Sequence, residues 1–169
     1  MTKRIARRGL LVAAAMALSW LESLLPAFGM VPGMKLGLAN IVTLFALYRM
    51  SLGDAAGISL ARVVLTAATF GNAYSFAYSL AGAALSLAVM AGLKRADRFS
   101  ILGVSAAGGV CHNLGQLLVA VCVLGTARLG WYLPALAASG TLAGAAIGLA
   151  GGLALRRVKA PPEENMGNF

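Results

Sequence analysis

Residues 101–124 read ILGVSAAGGVCHNLGQLLVAVCVL, an uncharged run that holds His112, Asn113 and Gln116 at its centre. An apolar stretch of about 20 residues is the length of a helix that crosses the ~30 Å hydrocarbon core of a bilayer. Polar groups at its midpoint are costly in lipid and mark a binding site or a packing contact. At 100° per residue, Ser105, Gly108, His112 and Gln116 fall within about 80° of one another, with Gly109 and Asn113 beside them. Lipid cannot satisfy these donors and acceptors, so this face is expected to turn toward other helices.

The rest of the chain agrees. Of 169 residues, 60% are hydrophobic and 11% charged, and the mean hydropathy is +0.84, values outside the range of soluble globular domains. Apolar runs between turn and charge signals predict six spans, at 9–25, 34–48, 55–70, 74–93, 101–124 and 129–155, the second and third short. The first follows Lys3, Arg4, Arg7 and Arg8 as a signal peptide would, but no A-x-A cleavage site follows it, so a retained helix is expected. No loop exceeds about ten residues, which leaves no soluble domain. The expected organisation is one membrane domain over 1–159 and a disordered cytoplasmic tail over 160–169.

The net charge of +9 would suggest nucleic acid in a soluble protein, but its distribution is topological. With both termini in the cytoplasm of the cell's inner membrane, the cytoplasmic segments hold Lys3, Arg4, Arg7, Arg8, Arg49, Lys94, Arg95, Arg98, Arg156, Arg157 and Lys159. The outer loops hold Lys35 and Arg128, and Arg62 lies within a span. That asymmetry follows the positive-inside rule for an even number of spans, and no nucleic-acid partner is expected. Cys111 and Cys122 lie about 16 Å apart along one helix and cannot pair.

Several residues stand out. Gly140, Gly144, Gly148 and Gly152 recur at four-residue spacing, a smooth ridge for close helix packing. Gly9, Ala13 and Ala17 form a weaker ridge on the first span, for internal packing or contact with a partner subunit. His112 has no second His and few acids to share a metal with, so no metal or other cofactor is expected; ligand binding and polar packing remain its two readings. Arg62 is open to three readings: holding an anionic group, snorkelling, or pairing with an acid such as Glu22. Asn40, with Gly37 and Thr43 nearby, lies in the second span, while Lys35, Asn72 and Tyr74 are placed at an outer opening. Asn40, Arg62, His112, Asn113 and Gln116 are therefore the candidate substrate-binding residues. No catalytic residues are assigned: prenyl-diphosphate chemistry needs clustered aspartates for magnesium, and only Asp54 and Asp97 exist.

The segment GMKLGLANIVTL (33–44), then Arg62 and Gly71, then Gly103-Val104-Ser105 with His112-Asn113-Leu114-Gly115-Gln116, and Tyr132-Leu133-Pro134, resemble the Gx transporter family. That family is also labelled heptaprenyl diphosphate synthase component I, and the resemblance runs from about Gly9 to Gly152. It has two implications. One is a noncatalytic membrane subunit whose partner, component II, carries the aspartate-rich motifs and whose product feeds menaquinone side chains. The other is similarity to the S components of energy-coupling factor transporters, six-helix proteins that bind a vitamin or precursor and depend on an ATPase module. A membrane accessory of a flavin- or quinone-linked redox system is a third. The reading adopted from sequence is an all-α integral membrane protein with an S-component-like bundle of six transmembrane helices. It would bind and translocate a small vitamin-like, isoprenoid or quinone-precursor substrate without covalent chemistry; the synthase subunit is the alternative.

Overall fold

The computed structural model describes residues 2–24 and 37–158. Within them the chain is helical: α1 (Thr2–Ser23), α2 (Asn40–Arg49), α3 (Leu52–Thr69), α4 (Ala73–Ala96), α5 (Ile101–Leu124), a short 3₁₀ segment (Ala127–Tyr132) and α6 (Leu133–Arg157). The expected tail at 160–169 and Lys35 lie outside the described residues.

The helix boundaries follow from local chemistry. Ser51 accepts from Asp54 N at 3.1 Å while the Asp54 carboxylate accepts from Ser51 N, a reciprocal cap for α3. Asn72 and Ser75 do the same for α4, and Ser100 caps α5. Gly125, at φ +61°, ends α5 in the left-handed region that glycine adopts without strain. Pro134 sits in the first turn of α6, where its missing N–H is not needed.

Among the described residues, four segments are long and apolar enough to cross a membrane: Leu52–Thr69, Ala73–Ala96, Ile101–Leu124 and Ala127–Arg157. The six spans expected from sequence are thus matched at four places. In α1 the uncharged stretch between Arg8 and Glu22 gives only about 20 Å of rise, and α2 over its ten residues about 15 Å. Burial nonetheless identifies hydrocarbon as the surroundings. Leu142, Leu149 and Leu153 on α6 are exposed, whereas Ser105, His112, Asn113 and Gln116 are buried. Apolar residues outside and polar ones inside suit lipid rather than water.

Glycine holds the centre together. A Cβ on Gly140 would come 2.8 Å from Gly109 O and Val110 Cα; one on Gly144 would lie 2.5 Å from Ser105 O, and one on Gly148 3.0 Å from Leu102 Cα. α5 and α6 therefore meet backbone to backbone. On the other side of α5, Gly115 lies against Ala81 O and Gly82, and Gly108 against Met90. α2 wedges across this block, with Leu44 fully buried over Gly151. Gly152, the fourth residue of the ridge, has nothing within 4 Å.

Helix ends are stitched at one end of the bundle. Arg4 and Arg8 of α1 pair with Asp54 of α3. Arg49 of α2 donates to the carbonyls of Leu155 and Val158 at the end of α6. Lys94 of α4 donates to Leu47 O and lies 5.1 Å from the Tyr48 ring centroid. Cations on terminal carbonyls oppose the negative ends of the α2 and α6 dipoles. These contacts gather Arg4, Arg8, Arg49, Lys94, Arg156 and Arg157 at the same end, as the charge pattern predicts.

Candidate functional site

α5 supplies the centre of the site. Gln116 lies one turn beyond His112, and its amide nitrogen sits 3.3 Å from His112 Nε2. With the amide donating, Nε2 is the acceptor and the ring proton belongs on Nδ1, the atom facing Gly82 of α4. A Cβ on Gly82 would come 2.9 Å from both His112 Nδ1 and Cε1, so the glycine makes room for the imidazole. Gln116 Oε1 is buried without a hydrogen bond.

From His112 the polar groups continue toward α1. Gly37, just before α2, has φ +80°, and a Cβ there would lie 2.9 Å from Asn40 Nδ2 and 3.9 Å from His112 Cδ2. Its N–H donates to Glu22 Oε1 of α1. Glu22 in turn is the charged group that acts on Arg62 of α3. Arg62 Nη1 donates to Ser19 Oγ, one turn before Glu22, at 3.3 Å. A polar path thus runs through the bundle: Gln116, His112, Gly37 with Asn40, Glu22, then Arg62 with Ser19. All six side chains on it are buried.

Of the five residues singled out from sequence, Asn40 and His112 meet at Gly37, Gln116 joins them through His112, and Arg62 joins them through Glu22. Asn113 points elsewhere. Its Nδ2 donates to Leu136 O at 3.0 Å and Ser139 Oγ at 3.3 Å, tying α5 to α6. Ser19, Gly37 and Gly82 are participants that sequence reasoning did not assign. Glu22, considered only as a partner for Arg62, was legible as the lone acid in the apolar part of α1. Asn72 is occupied in capping α4, and Tyr74 is exposed. Gly9, Ala13 and Ala17 are exposed on α1, away from its buried stripe of Ala15, Ser19 and Glu22.

The two aspartates are employed structurally at separate helix ends, Asp54 in the α3 cap and Asp97 in the left-handed turn that ends α4. Among the described residues no three His, Cys, Asp or Glu side chains come together as a metal site would need.

The family model for heptaprenyl diphosphate synthase component I matches residues 11–153. The chain belongs to the heptaprenyl diphosphate synthase component I family. The match spans the whole polar path from Ser19 to Gln116 and all four glycines of the α6 ridge. No curated protein and no solved structure matches the chain. Membership of the component I family favours the synthase-subunit alternative over the transporter reading adopted from sequence, and nothing in the comparisons supports the S-component likeness.

Proposed function

We propose that this chain is the noncatalytic membrane subunit of a heptaprenyl diphosphate synthase and works with a separate, aspartate-rich component II. The observation that carries the reading is the family match over residues 11–153. The chemistry supports it. A chain of seven five-carbon units has about 35 carbons, and at about 0.8 kcal/mol per CH₂ its transfer from water to lipid is worth on the order of 25 kcal/mol. A soluble enzyme alone would release such a product extremely slowly. A subunit with apolar outer helices gives the growing chain a route into the bilayer while the diphosphate stays at the surface.

In this reading all six helices lie in the cytoplasmic membrane, with both termini and the arginine-rich end toward the cytoplasm, where component II binds. Asn40, Arg62, His112 and Gln116 orient a polar group within the bundle, and Asn113 fastens α5 to α6. Gly9, Ala13 and Ala17 offer a smooth surface to a partner subunit.

The test is co-purification followed by reconstitution. Affinity-tagged chain is expected to retain component II from its own host, and full-length heptaprenyl diphosphate is expected only when both are present in vesicles. Component II that makes the full-length product at the same rate alone, and does not copurify, would overturn the proposal.

A further inference from the structure

The seam between α1 and α3 holds more hydrogen-bonding capacity than the protein uses. Arg62 is 5% exposed and lies about 15 Å along α3 from Leu52, near mid-depth of a ~30 Å hydrocarbon core. Its Nη1 reaches Ser19, but Nε and Nη2 are buried without a hydrogen bond. In a guanidinium these two atoms share one edge, where their N–H bonds run nearly parallel and form a fork. Ser59 Oγ and Thr66 Oγ1 share this face of α3, at three and four residues from Arg62, and are also buried and unpartnered. A buried donor or acceptor left unsatisfied is costly, because it gives up its hydrogen bond to water and gains none in return. Four in one seam are more than packing accounts for.

The charge balance selects the ligand. An arginine fork ordinarily suits a carboxylate or phosphate, but Glu22 already supplies Arg62 with a negative neighbour. A second anion would leave net negative charge in a low-dielectric seam, which is strongly disfavoured. A carbonyl oxygen has two lone pairs, so it can accept both fork N–H groups while adding no charge. Access selects further. α1 is held by three buried residues, Ala15, Ser19 and Glu22, and presents Leu10, Trp20 and Leu21 outward, so the seam adjoins hydrocarbon.

We infer that the α1–α3 seam binds an uncharged, lipid-soluble molecule through a carbonyl oxygen held by the Arg62 Nε/Nη2 fork, with Ser59 and Thr66 beside it. The site goes beyond the synthase reading, since it takes neither a diphosphate nor component II. The carbonyl can belong to an isoprenoid quinone or to a glyceride ester, and the test separates these sources.

The full chain, purified in a maltoside detergent that has no carbonyl, is followed by thermal unfolding with three probes: a prenylated naphthoquinone, dioleoylglycerol and geranylgeranyl diphosphate. One of the two neutral probes is expected to raise Tm by several degrees, and the diphosphate is not. The half-saturating concentration of that neutral probe is expected to rise at least tenfold in Arg62→Gln. The double variant Ser59→Ala/Thr66→Ala removes hydroxyls without touching the charge; it keeps the test decisive should Arg62→Gln not fold, and is expected to weaken binding at least threefold. Stabilisation by the diphosphate alone, neutral-probe binding unchanged in the double variant, or no response to any probe would overturn the inference. Retention of component II is scored separately, so failure here and failure of the synthase reading are distinguishable.

Discussion

Gly144→Ala is the sharpest probe of how the bundle is held. The added Cβ would lie 2.5 Å from Ser105 O and 2.7 Å from Ala106 Cα, against the 3.4 Å at which ordinary contact begins. Both neighbours are backbone, so no side chain can swing aside and α5 and α6 must part by about 0.7–0.9 Å. A gap of that size forfeits a quarter to a half of the dispersion well along the seam. A uniform retreat would also stretch the Asn113–Leu136 bond from 3.0 Å to about 3.8 Å, beyond hydrogen-bond range. Overpacking and a lost buried hydrogen bond together come to about 2–4 kcal/mol. Gly152→Ala is the matched control, because a Cβ there meets nothing within 4 Å; it should be neutral or stabilising by up to about 1 kcal/mol. Unfolding midpoints on titration with a denaturing detergent would measure both. Equal shifts for the two variants would refute backbone-to-backbone packing as the source of stability.

Asn113→Ala should lower the same midpoint by about 1–3 kcal/mol while leaving probe binding and component II retention intact, since its amide serves α6. Gly37→Ala places a side chain at φ +80° against Asn40 and should cost about 1–2 kcal/mol, seen as a lower Tm. Asp54→Ala should lose about 0.5–2 kcal/mol through the α3 cap, whereas Arg4→Ala, at a side chain 59% exposed, should change Tm little. In a cysteine-free background, an impermeant thiol reagent added to intact cells should label Ala127→Cys and not Arg98→Cys; the reverse pattern would place the arginine-rich end outside.

Much of the fold can be read from sequence where local chemistry decides it. Ser51, Asn72, Ser100 and Gly125 mark helix ends because caps act within a few residues, and the buried stripe of α5 follows from helical period alone. The glycine ridge was legible as a ridge, but period does not say where the partner helix ends, and Gly152 lies beyond it. Asn113 shows the limit for the site. It lies 100° from His112, close enough to be grouped with it, yet that angle carries it from α4 to α6. The Glu22–Gly37 bond joins segments whose meeting no local signal encodes, and the short rise of α1 between Arg8 and Glu22 was concealed by its apolar composition.

The pairing of α1 with α3 also bears on how the chain enters the bilayer. An arginine at mid-membrane costs about 2.5–3.5 kcal/mol on translocon insertion scales, enough to hinder partitioning of a segment as marginal as Leu52–Thr69, whose mean hydropathy is 1.2. α1 precedes α3 in the chain, so Ser19 and Glu22, which partner Arg62 in the folded bundle, are synthesised before it. The expected consequence is that α1 assists insertion of α3 by offering its arginine a partner within the bilayer. Removal of α1 would be felt during biogenesis, before any question of ligand or partner arises.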